Sequence, residues 1–480
     1  MKNKIGNVGK ALLIGASVLG GYGCLKYLIR RAIKSASTTF LKTLMEDDYT
    51  ENLWEIATST ARIGLQQVFE TNLRATKGRA ISRPFGTPKK LPSLDDIMFS
   101  PAQFYRFPSD IEDQVSLKVT IGKKAKKPFT IEMPVMIAPM AYGTALSKEA
   151  KMALAKASSM ANIAFCNGEG PYLPEERELA EIYIYQYHRG DWDKTEEILS
   201  CADGIEIQFG QGAIAGVGHV VHSKDIDNTL RSAFKLKKGE DIVAHSRQPG
   251  VNNPAQITQL VDYLKRVGGG VPIGVSMTAG KYLEKDLEVI CNAGIDYISI
   301  DGCEAGTKGS PPILQDDFGI PTVFAINRAA EWLYKSNFNQ QVSLIGAGKV
   351  RTPGDILKLL ALGADAVYIG SIALFAMSHT QVLKSLPFEP PNQIIWYEGK
   401  QADKFNMEEG AMALKRFLEA CREELAIGIR ALGKLNIAEV SKDDLVSLSQ
   451  TISKGCNIPT AYHSCYQTDL HLKKLKIKRI

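Results

Sequence analysis

Residues 342–371 read VSLIGAGKVRTPGDILKLLALGADAVYIGS, and the fold turns on how this stretch is parsed. Val342–Ile345 is a short apolar run that stops at Gly346-Ala347-Gly348. Thr352–Leu362 is helix-length and amphipathic, with Thr352 as its natural N-cap and Pro353 at its first position. Ala366–Ile369 is a second apolar run, and it stops at Gly370-Ser371. This is a strand–helix–strand unit whose two strand ends carry small residues. Small residues let backbone N–H groups approach a phosphate closely, and a helix opening just beyond points its positive end at the same place.

Working outward, the same rhythm extends toward the amino terminus. Short apolar runs occur at Val135–Ile137, Ile163–Cys166, Gly204–Gln208, Ile242–His245, Ile273–Met277 and Tyr297–Asp301. Amphipathic segments such as Lys148–Met160, Pro254–Val267 and Leu283–Ala293 separate nearly all of them. Eight runs alternating with helices over about 240 residues match a (β/α)8 barrel. An open doubly wound sheet is the competing architecture, but no GxGxxG opens the first unit. The expected class is therefore α/β, a (β/α)8 TIM barrel with an N-terminal helical extension and a C-terminal helical tail. The expected divisions are 1–34, 35–128, 129–385 for the barrel, and 386–480, where Met407–Leu432 reads as one long helix.

Composition sets wide bounds. The 480 residues are 45% hydrophobic and 23% charged, enough for a large core and far from the composition of a disordered chain. Fifty-eight Lys plus Arg against 52 Asp plus Glu leave a net charge of +6, too mild to argue for nucleic acid. Eight cysteines are dispersed without a CxxC pair, so neither a zinc knuckle nor a ferredoxin-type cluster is encoded, and buried free thiols are expected. No metal site is expected. His219 and His222 are an isolated i,i+3 pair, and no GxSxG marks a hydrolase.

The amino terminus carries its own signal. Ala11–Ile29 reads ALLIGASVLGGYGCLKYLI, with Lys26 as its one charge; as a helix it spans about 28 Å, one hydrocarbon core. The expectation is a retained single-pass membrane anchor with the catalytic body on the cytoplasmic side. A cleaved signal is one alternative, because Gly21-Tyr22-Gly23 is a small-x-small site before Cys24, and a soluble helix is the other. The closing Lys473, Lys474, Lys476, Lys478 and Arg479 are solvated charge or a contact for anionic lipid.

Barrel chemistry sits after the carboxyl ends of the strands. Those ends supply Pro139, Met140 and Ala141; Asn167 and Glu169; Gln208 and Gln211; Ser276; Cys303; Gly348; and Gly370-Ser371. The last two ends read as a phosphate grip. Asn167, Gln186 and Gln208 each donate and accept, which suits the edge of a flavin's pyrimidine ring.

The stretches PVMIAPMAYGTALSKEAKMALAKAS (134–158), CNGEG (166–170), GIEIQFGQGA (204–213), YISIDGCEAGTKGSPP (297–312) and residues 346–371 together resemble the FMN-binding synthase domain of the glutamate synthase large subunit. They look closest to the stand-alone glutamate-synthase-like proteins with an N-terminal hydrophobic segment. The resemblance implies FMN at the barrel mouth and an oxidoreductase acting on CH–NH2 donors, making glutamate from 2-oxoglutarate and ammonia or acting on a related C–N bond. It implies Pro139, Met140 and Ala141 along the flavin, Asn167 and Gln208 facing its ring, and Gly348, Gly370 and Ser371 on its phosphate. Gln186 and Ser276 complete the candidate cofactor residues, and Glu169 and Gln211 are the candidate catalytic pair.

The departures are specific. The family loop reads approximately IKIAQGAKPGEGG, where this chain has IEIQFGQGAIAGVGH (205–219), so Gln208 and Ile214 stand in place of lysines. Ser276 replaces a third lysine expected to face the flavin. These losses remove cations from the reduced ring and from a dicarboxylate substrate. Arg189, Arg247, Lys281 and Lys308 are candidates to compensate. No glutaminase module and no cysteine run for an iron–sulfur cluster are read in these residues, so the expectation is an unidentified small donor or protein that passes electrons directly to the flavin. Two alternatives stand beside this reading: a membrane-tethered barrel that has lost catalysis and serves as scaffold or ligand sensor, and an enzyme of the inosine-monophosphate-dehydrogenase kind with Cys303 as nucleophile.

Overall fold

A computed structural model describes residues 2–48, 54–386 and 390–463, with side chains from residue 24 onward except residue 54. Cys465 and the basic residues Lys473, Lys474, Lys476, Lys478 and Arg479 lie outside the described residues. The chain divides into two compact units, Met1–Ile81 and Ser82–Ile480.

The first unit is helical: α1 (Lys2–Glu46), α2 (Trp54–Ile63) and α3 (Leu65–Lys77). α3 ends at Gly78, whose left-handed backbone directs its N–H to Arg74 O. Among the described residues no helix is long and apolar enough to cross a membrane. The single-pass anchor expected from Ala11–Ile29 is thereby overturned, along with the membrane contact and the cytoplasmic placement that depended on it. Beyond residue 23, α1 carries Lys26, Arg30, Arg31, Lys34 and Lys42. Each such charge costs a few kcal/mol or more at the centre of a bilayer.

The second unit is built around eight parallel strands that close on themselves. In chain order they are β1 (Val135–Ile137), β2 (Ala164–Cys166), β3 (Ile182–Tyr187), β4 (Gly204–Gln208), β5 (Ile273–Thr278), β6 (Tyr297–Asp301), β7 (Ser343–Ala347) and β8 (Ala366–Ile369). Closure comes from β8 pairing with β1, with Tyr368 opposite Met136. The (β/α)8 fold expected from the sequence is the fold observed, but one strand was misassigned. The third barrel strand is Ile182–Tyr187. Ile242–Ala244 instead pairs antiparallel with His219–Val221, in an outer ribbon within the long β4–β5 connection.

Outward-facing residues such as Ile137, Phe165, Ile207, Val275, Ile298 and Val367 are fully buried under the surrounding helices. Those helices include α4 (Lys148–Met160), α5 (Pro254–Val267), α6 (Leu283–Asn292), α7 (Thr322–Lys335), α8 (Pro353–Ala361) and α9 (Ser371–Ser378). The long α10 (Met407–Ala431) lies outside them, against α4, α8 and α9. Inside the barrel, Met136, Ala164, Ile184, Tyr297, Ile345 and Ala366 form the lower core. A hairpin of Val119–Ile121 and Phe129–Ile131 packs Ile121, Phe129 and Ile131 against them and stops the amino-terminal end. The polar inward residues are left at the other end.

Candidate active site

The loops after β1 and β2 are locked together by one side chain. Lys151 on α4 is fully buried and donates to Met140 O and Asn167 O, both at 2.6 Å. Its nearest carboxylate is Glu176, at 3.5 Å. Burial lowers the Lys151 pKa and pushes Glu176 up to about 7, with each partner opposing the other's shift. Gly168 has φ 78°, and a Cβ there would lie 2.6 Å from Met140 N, so the two loops approach as closely as glycine permits.

Four strands then aim polar atoms into the mouth. Asn167 Oδ1 accepts from the Gln186 backbone N–H at 2.7 Å, leaving Asn167 Nδ2 without a partner. Gln186 Oε1, Gln208 Oε1, Ser276 Oγ and Thr278 Oγ1 are likewise buried and unpartnered among the described residues. Gln208 Nε2 reaches Gln211 Oε1 at 3.4 Å. The loop carrying Gln211 is held by Asp301, whose carboxylate accepts from Gly212 N at 2.8 Å and whose pKa burial raises to about 6. Unpaired buried polar atoms are costly and uncommon, so these, on four neighbouring strands, make this end of the barrel the candidate for a polar ligand edge.

On the opposite wall, β7 and β8 are neighbours in register, Gly346 facing Val367, so their ends lie side by side. Gly348 has φ 125°, and a Cβ would sit 2.3 Å from Thr322 Oγ1. Thr352 caps α8 by accepting from Asp355 N at 3.1 Å, and Ser371 opens α9. Glu304 closes the adjoining loop by accepting from Thr322 N at 2.7 Å and Thr322 Oγ1 at 2.8 Å. Cys303 Sγ lies 3.7 Å from Glu304 Oε2, and burial with that acid pushes the thiol up to about 12. The thiolate is disfavoured there, so these surroundings give no support to Cys303 as a nucleophile.

Glu169 is 8% exposed with Oε1 unpartnered, and His219 Nδ1 stands 4.0 Å from its Oε2. His222 bonds instead to Asp241 at 3.2 Å, so the two histidines do not act as a pair. Of the four compensating cations, Arg247 and Lys281 are exposed and Lys308 pairs with Glu398. Arg189 is fully buried; it donates to Gly216 O and Val217 O, leaves Nε unpartnered, and feels the charge of Glu169. Lys194 lies over the Tyr187 ring at 4.3 Å, and burial lowers its pKa to about 8.

Sequence reasoning missed Lys151, Thr278, Asp301 and Glu206. The last is a fully buried carboxyl group beneath Gln186. Strand parity held the signal for Glu206, because side chains two apart share a face and Gln208 had already been read as inward. Lys151 was likewise readable as a cation in line with Leu154, Ala155 and Ser158, all buried on α4.

Comparison with known proteins places residues 91–434 within the family model described as a conserved region in glutamate synthase. A glutamate synthase large subunit-like protein of Rhizobium meliloti is 28% identical over 413 residues, covering 80% of this chain and 91% of that protein. An archaeal-type glutamate synthase (NADPH) of Thermotoga neapolitana is 30% identical over 333 residues, covering 68% of this chain and 64% of that protein. Among solved structures, a flavocytochrome b2 variant superposes with a TM-score of 0.49 at 17% identity, covering 81% of this chain and 83% of that one.

Proposed function

The chain belongs to the glutamate synthase family, and from that premise we propose that it is an FMN-dependent oxidoreductase that reduces a 2-oxo acid imine, 2-oxoglutarate plus ammonia to glutamate, or a related C–N bond. The observation that carries the reading is the set of orphaned polar atoms of Asn167, Gln186, Gln208, Ser276 and Thr278 at one end of the barrel, across its mouth from the small residues ending β7 and β8. Their chemistry fits FMN: a ring edge that alternates donors and acceptors, and a phosphate that seeks backbone N–H groups. When bound, FMN supplies the hydride.

The protein's residues do the rest. Gly348, Gly370 and Ser371 hold the phosphate through their backbone. Pro139, Met140 and Ala141 flank the ring, with Lys151 fixing their loop through Met140 O. Asn167, Gln186, Gln208 and Ser276 meet the ring's polar edge. Glu169 and Gln211 face the substrate, Glu169 moving a proton at the nitrogen being formed. The chain spans 64% of the length of the Thermotoga relative, and the activity of that whole protein extends to this chain only as a proposal. The electron donor is unidentified.

The test is an absorbance spectrum of the purified protein with mass spectrometry of the released ligand, followed by anaerobic addition of 2-oxoglutarate and ammonium to the reduced form. Flavin bands, released FMN and reoxidation with glutamate formed are the expected results. Colourless protein that gains no flavin absorbance with added FMN overturns the proposal. Bound flavin that these substrates never reoxidise overturns glutamate formation and leaves a related C–N bond or a ligand sensor, the latter favoured by uncharged Gln208, Ile214 and Ser276.

A further inference from the structure

Inward side chains of a closed barrel stack in layers taken from alternate strands. One layer here holds Cys166 from β2, Glu206 from β4, Ser299 from β6 and Tyr368 from β8, none more than 3% exposed. Glu206 Oε2 accepts from the Tyr368 hydroxyl at 2.9 Å, and Ser299 adds a further hydrogen bond. Glu206 Oε1 accepts from Gln186 Nε2 at 3.4 Å. The ionisable groups that face Glu206 from the surrounding strands are Cys166, Tyr297, Asp301 and Tyr368, and among the described residues none of these partners is a cation.

Gln186 lies beside Glu206 in register and is 1% exposed, with its carbonyl Oε1 unpartnered. It therefore joins the acid below to the mouth above. An amide donates at one end and accepts at the other. An ionised carboxylate only accepts, so it binds the NH2 end and turns the carbonyl toward the mouth. A protonated Oε1 donates, binds the carbonyl end, and turns the NH2 toward the mouth.

We propose that Glu206 is a positioning residue that decides which end of the Gln186 amide meets the flavin, so that flavin binding is coupled to a proton held inside the barrel. The inference rests on the FMN reading above. Burial raises the Glu206 pKa to about 7, opposed by the hydrogen bonds from Tyr368, Gln186 and Ser299, so both forms are populated near neutrality.

FMN dissociation constants of the full chain and of Glu206→Gln, measured from pH 6 to pH 8, test the proposal. The phosphate's own titration is common to both proteins and cancels in their ratio. Wild-type affinity relative to the variant should rise about fivefold across this range, as the acceptor end of Gln186 turns outward. Tyr368→Phe removes a hydrogen bond to the carboxylate and should move the midpoint upward. The infrared band of the protonated carboxyl, absent in Glu206→Gln, should titrate at lower pH once FMN is bound, because linkage is reciprocal. A ratio constant within about twofold while both proteins bind FMN sinks the proposal and spares the FMN reading. Wild-type protein that binds no FMN brings down both.

Discussion

A carboxylate at 0% exposure with no cation among its partners in the described residues is too costly to keep ionised at low pH, so the barrel holds Glu206 protonated well above the usual carboxylate range. Its folded pKa of about 7 exceeds the unfolded value. The stability tied to the neutral form is therefore complete below about pH 4.3 and is lost as pH rises through the folded pKa. Between pH 5 and pH 8 this amounts to about 2–3 kcal/mol. Denaturant unfolding at the two pH values should show a fall in wild-type stability that is smaller by roughly that amount in Glu206→Gln. An identical fall in both proteins would exclude Glu206 as its source. Cys303 and His219 make the complementary point at the same scale. Their residue types invite chemistry, yet what each can do is set by the neighbour it meets, Glu304 for one and Glu169 for the other.

Elements whose pattern repeats locally were readable. Lys148–Met160 and Pro254–Val267 were expected with the bounds they have, because 3.6-residue periodicity and a cap are written within the segment itself. The third strand was not. Ile182–Tyr187 follows a helix of only six residues, Pro174–Leu179, so no helical pattern announced it, while Ile242–Ala244 had the right composition in the wrong sheet. Apolar runs state that a strand exists, and hydrogen bonds to distant residues decide which sheet receives it. The hairpin across Val119–Ile121 and Phe129–Ile131 belongs to the same lesson: Lys123, Lys124, Lys126 and Lys127 before Pro128 read as a solvated hairpin turn, but nothing local marks the flanking strands as a barrel plug. Ile131 is fully buried at that stopper. Ile131→Ala should destabilise the barrel by about 2–5 kcal/mol, measured by chemical unfolding. A loss below about 0.5 kcal/mol, as at a surface position, would show that the hairpin does not close the barrel.

At the scale of the molecule, every candidate site residue from Pro139 to Ser371 lies within Ser82–Ile480. A chain beginning at Ser82 should therefore bind FMN within about twofold of the full chain, read by flavin fluorescence quenching; a loss beyond about tenfold would place part of the site in the first unit. The amino-terminal segment shows how a one-dimensional reading overreaches. A run of apolar letters with one lysine met a length criterion, but the helix it belongs to continues to Glu46 through five basic residues after Gly23.

The sequence by itself determined the barrel, its carboxyl-end loops, the small residues that end β7 and β8, and the family, because strand alternation, helix caps and collinear motifs are local properties of the chain. The tertiary structure alone decided that Ile182–Tyr187 completes the sheet, that Lys151 joins two loops, that Arg189 is the buried cation near Glu169, and that Glu206 sits unneutralised below Gln186. Each of these depends on which distant groups share a small volume from which water is excluded. Burial and its electrostatic consequences arise only when the strands close around it.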